Sequence, residues 1–181
     1  SASTEVGVQE LMNGIVNLFP NPGAGRSISL ASGESVICDG SGDPSAFAFK
    51  SVSDPFIGQL TFFRVFSGVF RSDTEALNLA TGQKERLGSL MVLNGKEQEN
   101  ISEAGPGAIV AVAKLKNTHV NQTLVTKSGT PAFAPIEFPK PTTQYAVYPV
   151  KKGEDEKVNG GLQRFCEEDP TLGLRRDAET H

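Results

Sequence analysis

The sequence predicts a mainly β protein, an antiparallel β-barrel flanked by an N-terminal helix and by the start of a C-terminal α/β domain. Short apolar segments rich in β-forming residues follow one another between residues 47 and 126. Turns separate these segments, and glycine (19 residues) and proline (11) are both plentiful. Apolar residues at helical spacing occur near the two ends of the chain. Short, evenly spaced strands of this kind are typical of a closed antiparallel barrel.

The N-terminal segment VGVQELMNGIVNLFPNP, residues 6–22, is predicted to be a helix with one apolar face. Thr4 is the expected N-cap, and Pro20 should stop the helix. A lone helix of this length is marginally stable in water, so its apolar face needs a partner that the following domain is not expected to supply. Residues 23–42 are rich in Gly and Ser, and we expect a linker with one short strand near Val36.

Six segments are predicted to be the strands of the barrel, with turn residues such as Asp54-Pro55 and Asn94-Gly95 between them. They are residues 47–52, 59–68, 75–80, 85–93, 108–115 and 123–126. The second segment, QLTFFRVFSG, has apolar side chains on both faces. One face should fill the barrel, and the other should pack under a loop or a neighbouring domain. On that second face, we expect Arg64 to pair with a carboxylate such as Glu85.

The pattern changes after residue 137. Residues 142–150 (TTQYAVYPV) are predicted to be a strand, residues 154–170 a helix, and residues 171–177 (TLGLRRD) the start of another strand. This piece is expected to open an α/β domain that these residues do not complete. We therefore expect four parts, residues 1–22, 23–42, 43–137 and 138–181, in an excerpt of a longer protein.

Composition limits the possible functions. The formal net charge is −4, whereas proteins that bind nucleic acid through bulk electrostatics are usually basic, so any phosphate contact must be local. No apolar run is long enough to span a membrane, and there is no secretion-signal pattern. Two distant cysteines, Cys38 and Cys166, suit reduced thiols. The expected location is the cytoplasm.

Catalytic motifs are absent from the sequence. It has no G-x-S-x-G or H-E-x-x-H motif, no Cys/His zinc spacing and no phosphate-binding loop. His119 lies in a predicted loop and His181 is the last residue, while the acidic residues 154–156 and 167–169 fit the ends of a helix. No catalytic, cofactor-binding or metal-binding residue is therefore predicted, and this chain is not expected to be an enzyme by itself.

Four blocks of sequence, in one order, resemble the bacterial elongation factor G family of translational GTPases. The first is GVQELMNGIVNLFPNP, which is similar to the helix that ends the GTPase domain. FAFKSVSDPFIGQLTFFRVFSGVF (47–70) and residues 84–124 resemble the β-barrel domain II, and residues 146–172 resemble the opening of domain III. The resemblance covers nearly all of the chain and implies a translation-factor-type barrel.

Three places depart from the family pattern. Where the family usually has Ala-Gly-Asp, Gly-Leu-Lys-Asp and Thr-Gly-Asp-Thr-Leu, this chain has Pro106-Gly107-Ala108, residues 114–117 (KLKN) and residues 120–124 (VNQTL). These departures indicate a diverged paralogue. A tetracycline-resistance ribosomal protection protein is a more distant alternative, and a stand-alone β-barrel that binds a ligand or a protein is an alternative from another class.

The resemblance implies a parent protein that binds GTP and Mg²⁺ in a GTPase domain outside these residues and drives translocation on the ribosome. Its barrel would contact small-subunit ribosomal RNA and couple the GTPase domain to the distal domains, and the fragment itself would be monomeric. The implied RNA-contacting residues are Phe56, Ile57, Gly58, Gln59, Lys84 and Arg86. Arg64 is the candidate for a structural or interdomain role. As alternatives, Gly58 marks a bulge or twist of the sheet, and Lys84 and Arg86 are ordinary exposed strand charges.

Overall fold

The structure, a computed structural model, describes residues 1–22, 27–37, 39–54 and 56–175. The predictions for Cys38, Pro55, His181 and the end of the segment 171–177 lie outside these residues. The helices are α1 (Val8–Leu18) and α2 (Asp155–Glu168). The strands are β1 (Ser27–Ser29), β2 (Ser35–Ile37), β3 (Ser45–Asp54), β4 (Gly58–Ser67), β5 (Phe70–Arg71), β6 (Glu75–Asn78), β7 (Lys84–Arg86), β8 (Leu90–Asn94), β9 (Glu97–Ile101), β10 (Glu103–Ala104), β11 (Ile109–Ala113) and β12 (Gln122–Val125).

Eight strands form one antiparallel sheet in the order β7-β6-β12-β3-β4-β11-β8-β9, which confirms the mainly β fold class. The sheet curls around its core but is not closed by a continuous ladder, because β7 and β9 are its edges. The short ladder of β5 with β10 is separate. Hydrogen bonds tie it to the start of β8 and to the loop before it, from Leu90 N to Ser72 Oγ (2.9 Å) and from Asp73 N to Gly88 O (3.1 Å).

Both faces of β4 are packed, as its sequence predicts. The inner face puts Phe63 and Val65, both 0% exposed, into the main core. Other members of this core are Ala46, Ala48, Phe70, Ala76, Leu87, Leu90, Ala104, Val110, Val112, Leu115 and Leu124. On the outer face, Phe66 packs against a second cluster of Leu30, Phe47 and Phe133. The hairpin β1–β2 and the loop that holds Phe133 cover this cluster, with Ala31 N donating to Ala132 O (2.9 Å).

Three predictions about the strands are wrong. The segment 85–93 is divided into β7 and β8, with Leu87, Gly88 and Ser89 between them. The segment 142–150 forms no strand, and Tyr145 and Val150 are 88% and 100% exposed. Within the described parts of the chain no strand lies beside this segment, and an unpaired strand leaves its backbone groups without partners. Residues 171–175 are not a strand either.

The helix predictions are confirmed except for the N-cap of α1. The cap is Gly7, with a positive φ of 82°, rather than Thr4. Thr4 ends a short 3₁₀ turn, Ala2–Thr4, and its hydroxyl donates to Ser1 O (3.5 Å). The apolar face of α1 is exposed, as expected for a helix without a partner; its side chains are Val8, Leu11, Met12, Ile15, Val16 and Phe19. Helix α2 packs on β3, where Glu168 Oε1 accepts a hydrogen bond from Ser53 N (2.8 Å).

The loop from β11 to β12 begins with an unfavourable backbone conformation. Lys114 has a φ of 61° and an exposed side chain. We expect Lys114→Gly to raise the free energy of unfolding by about 0.5–1 kcal/mol, because glycine adopts positive φ without steric strain. Urea unfolding would measure the change.

Lys116→Gly is the matched control, since Lys116 is exposed in the same loop and is not among the described residues with positive φ. This control should lower stability, and a gain in both variants would contradict the prediction.

Candidate nucleic-acid interface

The hairpin between β3 and β4 ends in a turn that is fixed by its own residues. Asp54 Oδ1 accepts hydrogen bonds from Phe56 N (2.8 Å) and Ile57 N (2.9 Å). Gly58 has a φ of 90°, and a Cβ built on it would meet no atom within 4 Å. The ladder is regular here, with Asp54 opposite Gly58, and its irregularities lie elsewhere. Gly58 is therefore a turn residue that leaves the backbone open on one side, rather than a bulge.

The side chains of this hairpin tip (residues 56–59) divide between solvent and the sheet. Phe56 is 95% exposed, so its ring is available to stack on a planar group. Gln59 is half-buried, and its amide donates to Ser51 Oγ (3.0 Å). Ile57 is also half-buried. The tip thus offers an aromatic ring beside an open stretch of backbone, which suits a base and its sugar–phosphate chain.

Lys84 and Arg86 both project from the edge strand β7, and both are already paired. Lys84 Nζ lies 3.7 Å from Glu75 Oε2, and an Arg86 terminal nitrogen lies 3.2 Å from Asp73 Oδ1. Exposed pairs of this kind are worth about 0–1 kcal/mol, so a phosphate can replace either carboxylate. The carboxylates nevertheless cancel the local positive charge, which favours ordinary strand charges over a phosphate-binding patch.

Lys84 and Arg86, which we call the β7 pair, do not lie beside the hairpin tip. The register places Lys84 opposite Leu77, Leu77 opposite Val125, and Val125 opposite Ser45, the first residue of β3. Gly58 pairs with the last residue of β3. Because β3 is 10 residues long, the two sets are separated by about 30 Å along the strand direction. The six residues implied by the family resemblance therefore belong to two separate surfaces.

Arg64 does not pair with Glu85, so that prediction is wrong. Glu85 is 8% exposed on the inner side of the sheet, opposite Ala76 of the core. Its carboxylate accepts hydrogen bonds from backbone and side-chain donors of residues 116–118. Arg64 lies on the outer side, and its guanidinium carbon is 5.6 Å from the centre of the Phe66 ring. No carboxylate in the described part of the chain forms an ion pair with Arg64.

Two family models match the chain consecutively. The model of elongation factor G domain 2 matches residues 43–127, and that of elongation factor G domain III matches residues 138–181. The chain belongs to the elongation factor G family. It is also similar in structure to a protein from Thermus thermophilus, with a TM-score of 0.77 and 27% sequence identity over 99% of this chain. The match covers 25% of the Thermus protein. The chain thus spans about a quarter of that protein's length.

Both candidate surfaces and Arg64 lie inside the match to elongation factor G domain 2. One neighbour of the hairpin tip could not be found from the sequence pattern. Lys114 N donates to Gln59 O (2.8 Å), which places this exposed lysine beside the base of the tip. The register of β11 against β4 brings them together, with Ala113 opposite Leu60. Only the pairing of these two strands, which are separated by some 50 residues of sequence, would have revealed it.

The described residues of the chain provide no support for a metal site or a membrane-spanning helix. They contain no cluster of three or more His, Cys, Asp or Glu side chains that would hold a metal ion. Among the described residues, neither α1 nor α2 has the length and apolar composition that crossing a bilayer requires.

Proposed function

We propose that this chain is the domain II and domain III portion of an elongation-factor-G-like translational GTPase that acts in ribosomal translocation. The observation that supports it best is the order of the two family matches, residues 43–127 followed by 138–181. In this proposal residues 1–22 end a GTPase domain, 23–42 link it to domain II (43–137), and domain III begins at 138. GTP and Mg²⁺ would bind in the GTPase domain, outside these residues.

The proposed contact with small-subunit ribosomal RNA is the hairpin tip. Phe56 supplies an exposed ring, Gly58 supplies unobstructed backbone, and Lys114 supplies a positive charge close by. With a net charge of −4, the chain as a whole repels RNA, so a small local contact of this type is the physically favoured way to bind it. The β7 pair is the weaker candidate, because each cation already faces a carboxylate.

Ribosome pelleting of the parent protein tests the proposal as a whole. With a non-hydrolysable GTP analogue, the parent should sediment with ribosomes, and without ribosomes it should stay in the supernatant. A parent that binds the analogue normally and fails to co-sediment would overturn the proposed function.

Phe56→Ala in the parent tests the hairpin tip separately. We expect roughly tenfold weaker ribosome binding, since stacking of a base on an aromatic ring is worth about 1–3 kcal/mol. Stability should not change, because the ring is 95% exposed. The double variant Lys84→Gln/Arg86→Gln is the comparison, and we expect less than a twofold effect. If the double variant binds weakly and Phe56→Ala binds normally, the contact lies on β7 instead.

A further inference from the structure

The outer face of the sheet contains a cavity with a single charged side chain. Its volume is about 290 Å³. We call it the Arg64 groove; its principal lining residues are Ile28, Phe47, Phe49, Arg64, Phe66 and Phe133. A second cavity of about 230 Å³ shares Ile28, Arg64 and Phe66 with it and extends to Pro20 and Pro22. Arg64 is thus accessible from two adjoining recesses, and neither lining includes another charged residue among those described.

The Nε atom of Arg64 lacks a hydrogen-bond acceptor among the described residues. This atom is buried. The guanidinium carbon of Arg64 lies 5.6 Å from the centre of the Phe66 ring, which is a cation–π contact. Phe66 is itself held by Phe133, with ring centres 4.7 Å apart. A buried, unpaired N–H group costs free energy, and that cost is recovered when an acceptor arrives.

We propose that the Arg64 groove binds a carboxylate on a protein segment that also has an apolar side chain. A guanidinium presents donors in a planar fork that matches the two oxygens of a carboxylate. The surrounding phenyl rings would bury the apolar neighbour and strengthen the charged hydrogen bonds by excluding water. The inference concerns the outer face of the sheet and does not depend on the proposed function.

The lining favours a protein segment over RNA. Sites for single-stranded nucleic acid combine several cations with stacking rings, whereas this groove has one cation. Its volume lies just under the range of about 300–1,000 Å³ that is usual for small-molecule pockets, which leaves room for one or two side chains. The adjoining recess is lined by the apolar side chains of Pro20, Pro22 and Ile28 beside Arg64 and Phe66. An acidic segment with apolar neighbours complements both the charge and this surface.

NMR of the 181-residue chain provides the test, with the Nε–Hε signal of Arg64 as the reporter. The probes are N-acetylphenylalanine, which has a carboxylate beside a phenyl ring, its neutral amide, and a short oligouridylate. We expect a saturable shift with the carboxylate probe and at least tenfold weaker binding of the amide. Equal affinity for the two, no saturation by the carboxylate, or tighter binding of the oligouridylate would each overturn the proposal.

Substitutions identify the group that recognises the probe. Arg64→Met keeps an apolar stem of similar length, and the tenfold preference for the carboxylate, read from ring signals of the groove, should fall to about one. Arg71→Met is the matched control, because Arg71 is exposed and pairs with Glu103 (3.5 Å) outside the groove. It should retain the preference. Arg64→Lys keeps the charge without the fork and should bind the carboxylate several-fold more weakly. A preference that survives in both Arg64 variants would refute the assignment.

Discussion

Phe63→Ala is expected to lower the free energy of unfolding by about 3–5 kcal/mol. Phe63 is 0% exposed and lies between Ala48 of β3 and Val110 of β11. Its ring packs on Phe70, with centres 5.8 Å apart. Truncation removes this burial and leaves a cavity that surrounding strands cannot fill, because three paired strands hold the backbone in place. Since domains of this size are stable by about 5–15 kcal/mol, the loss is a large share of the total.

Urea unfolding followed by far-UV circular dichroism would measure the loss, as the chain has no tryptophan for fluorescence. The neighbouring Phe62→Ala is the matched control. Phe62 is half-buried on the outer face of the same strand, and we expect about 1 kcal/mol. Phe63→Leu, which keeps most of the volume, should also lose less than about 1.5 kcal/mol. Equal losses at 62 and 63 would contradict the assignment of inner and outer faces.

The strands that the sequence predicted best are the ones buried at the centre of the sheet. The predicted segments 47–52, 59–68, 108–115 and 123–126 correspond to β3, β4, β11 and β12, the centre of the sheet. These strands contain short runs of β-forming apolar residues bounded by turns, which are typical of strands buried on both faces. Their strand character is therefore visible without knowledge of their neighbours.

Strands at the periphery were harder to predict because pairing, rather than composition, decides them. The sequence EQENI of β9 is polar and mostly exposed, yet it pairs with β8 over five residues. The apolar segment 142–150 has strong β-forming residues and stays unpaired in the described structure. Strand propensity depends on what lies beside the strand, which a single sequence does not contain.

Departures from the family pattern correspond to particular backbone conformations. Two of them replace a glycine of the elongation factor G pattern, by Lys114 and by Asn121, and these residues have φ of 61° and 69°. The third keeps glycine as Gly107, with a φ of 85°. Asparagine tolerates this conformation better than lysine does, so the strain is concentrated at Lys114. One of the three departures thus lies at a strained backbone position, which only the structure reveals.

For the candidate site, the sequence predicted which residues are exposed better than it predicted how far apart they lie. An open glycine turn was implied for residues 56–59, and the structure contains one. The separation of this tip from Lys84, the carboxylates that neutralise Lys84 and Arg86, and the position of Lys114 all depend on strand order. Arg64 was correctly placed on a packed outer face, but its expected partner Glu85 faces the opposite way.

Glu85 was predicted as the partner of Arg64, and its actual role in the structure was not predicted. Alternation turns the two cations outward and the carboxylate inward. Glu85 Oε1 accepts from Lys116 N and Asn117 N (2.7 Å each), and the Thr118 hydroxyl donates to Oε2. The buried Asn78 amide adds a hydrogen bond to Asn117 O (2.9 Å). These bonds hold the loop between β11 and β12, at whose start Lys114 meets the hairpin tip.

Glu85→Ala is therefore expected to lower the free energy of unfolding by about 3–5 kcal/mol. The substitution leaves two backbone N–H groups and a hydroxyl without their acceptor, and hydrogen bonds to a charged group are worth about 1.5–3 kcal/mol each. Glu85→Gln retains one oxygen for the two amides, so its cost should be about 1–2 kcal/mol. Glu75→Ala on the neighbouring strand removes only an exposed ion pair and should cost less than about 1 kcal/mol.

Hydrogen exchange separates this role from a general loss of stability. In Glu85→Ala, the amides of Lys116 and Asn117 lose their acceptor and should exchange faster than in wild type under native conditions, by more than the global change in stability explains. The amide of Phe63, in the centre of the sheet, should follow global stability alone. If residues 116 and 117 behave like residue 63, or if Glu85→Ala is no less stable than Glu75→Ala, the buried carboxylate does not organise this loop.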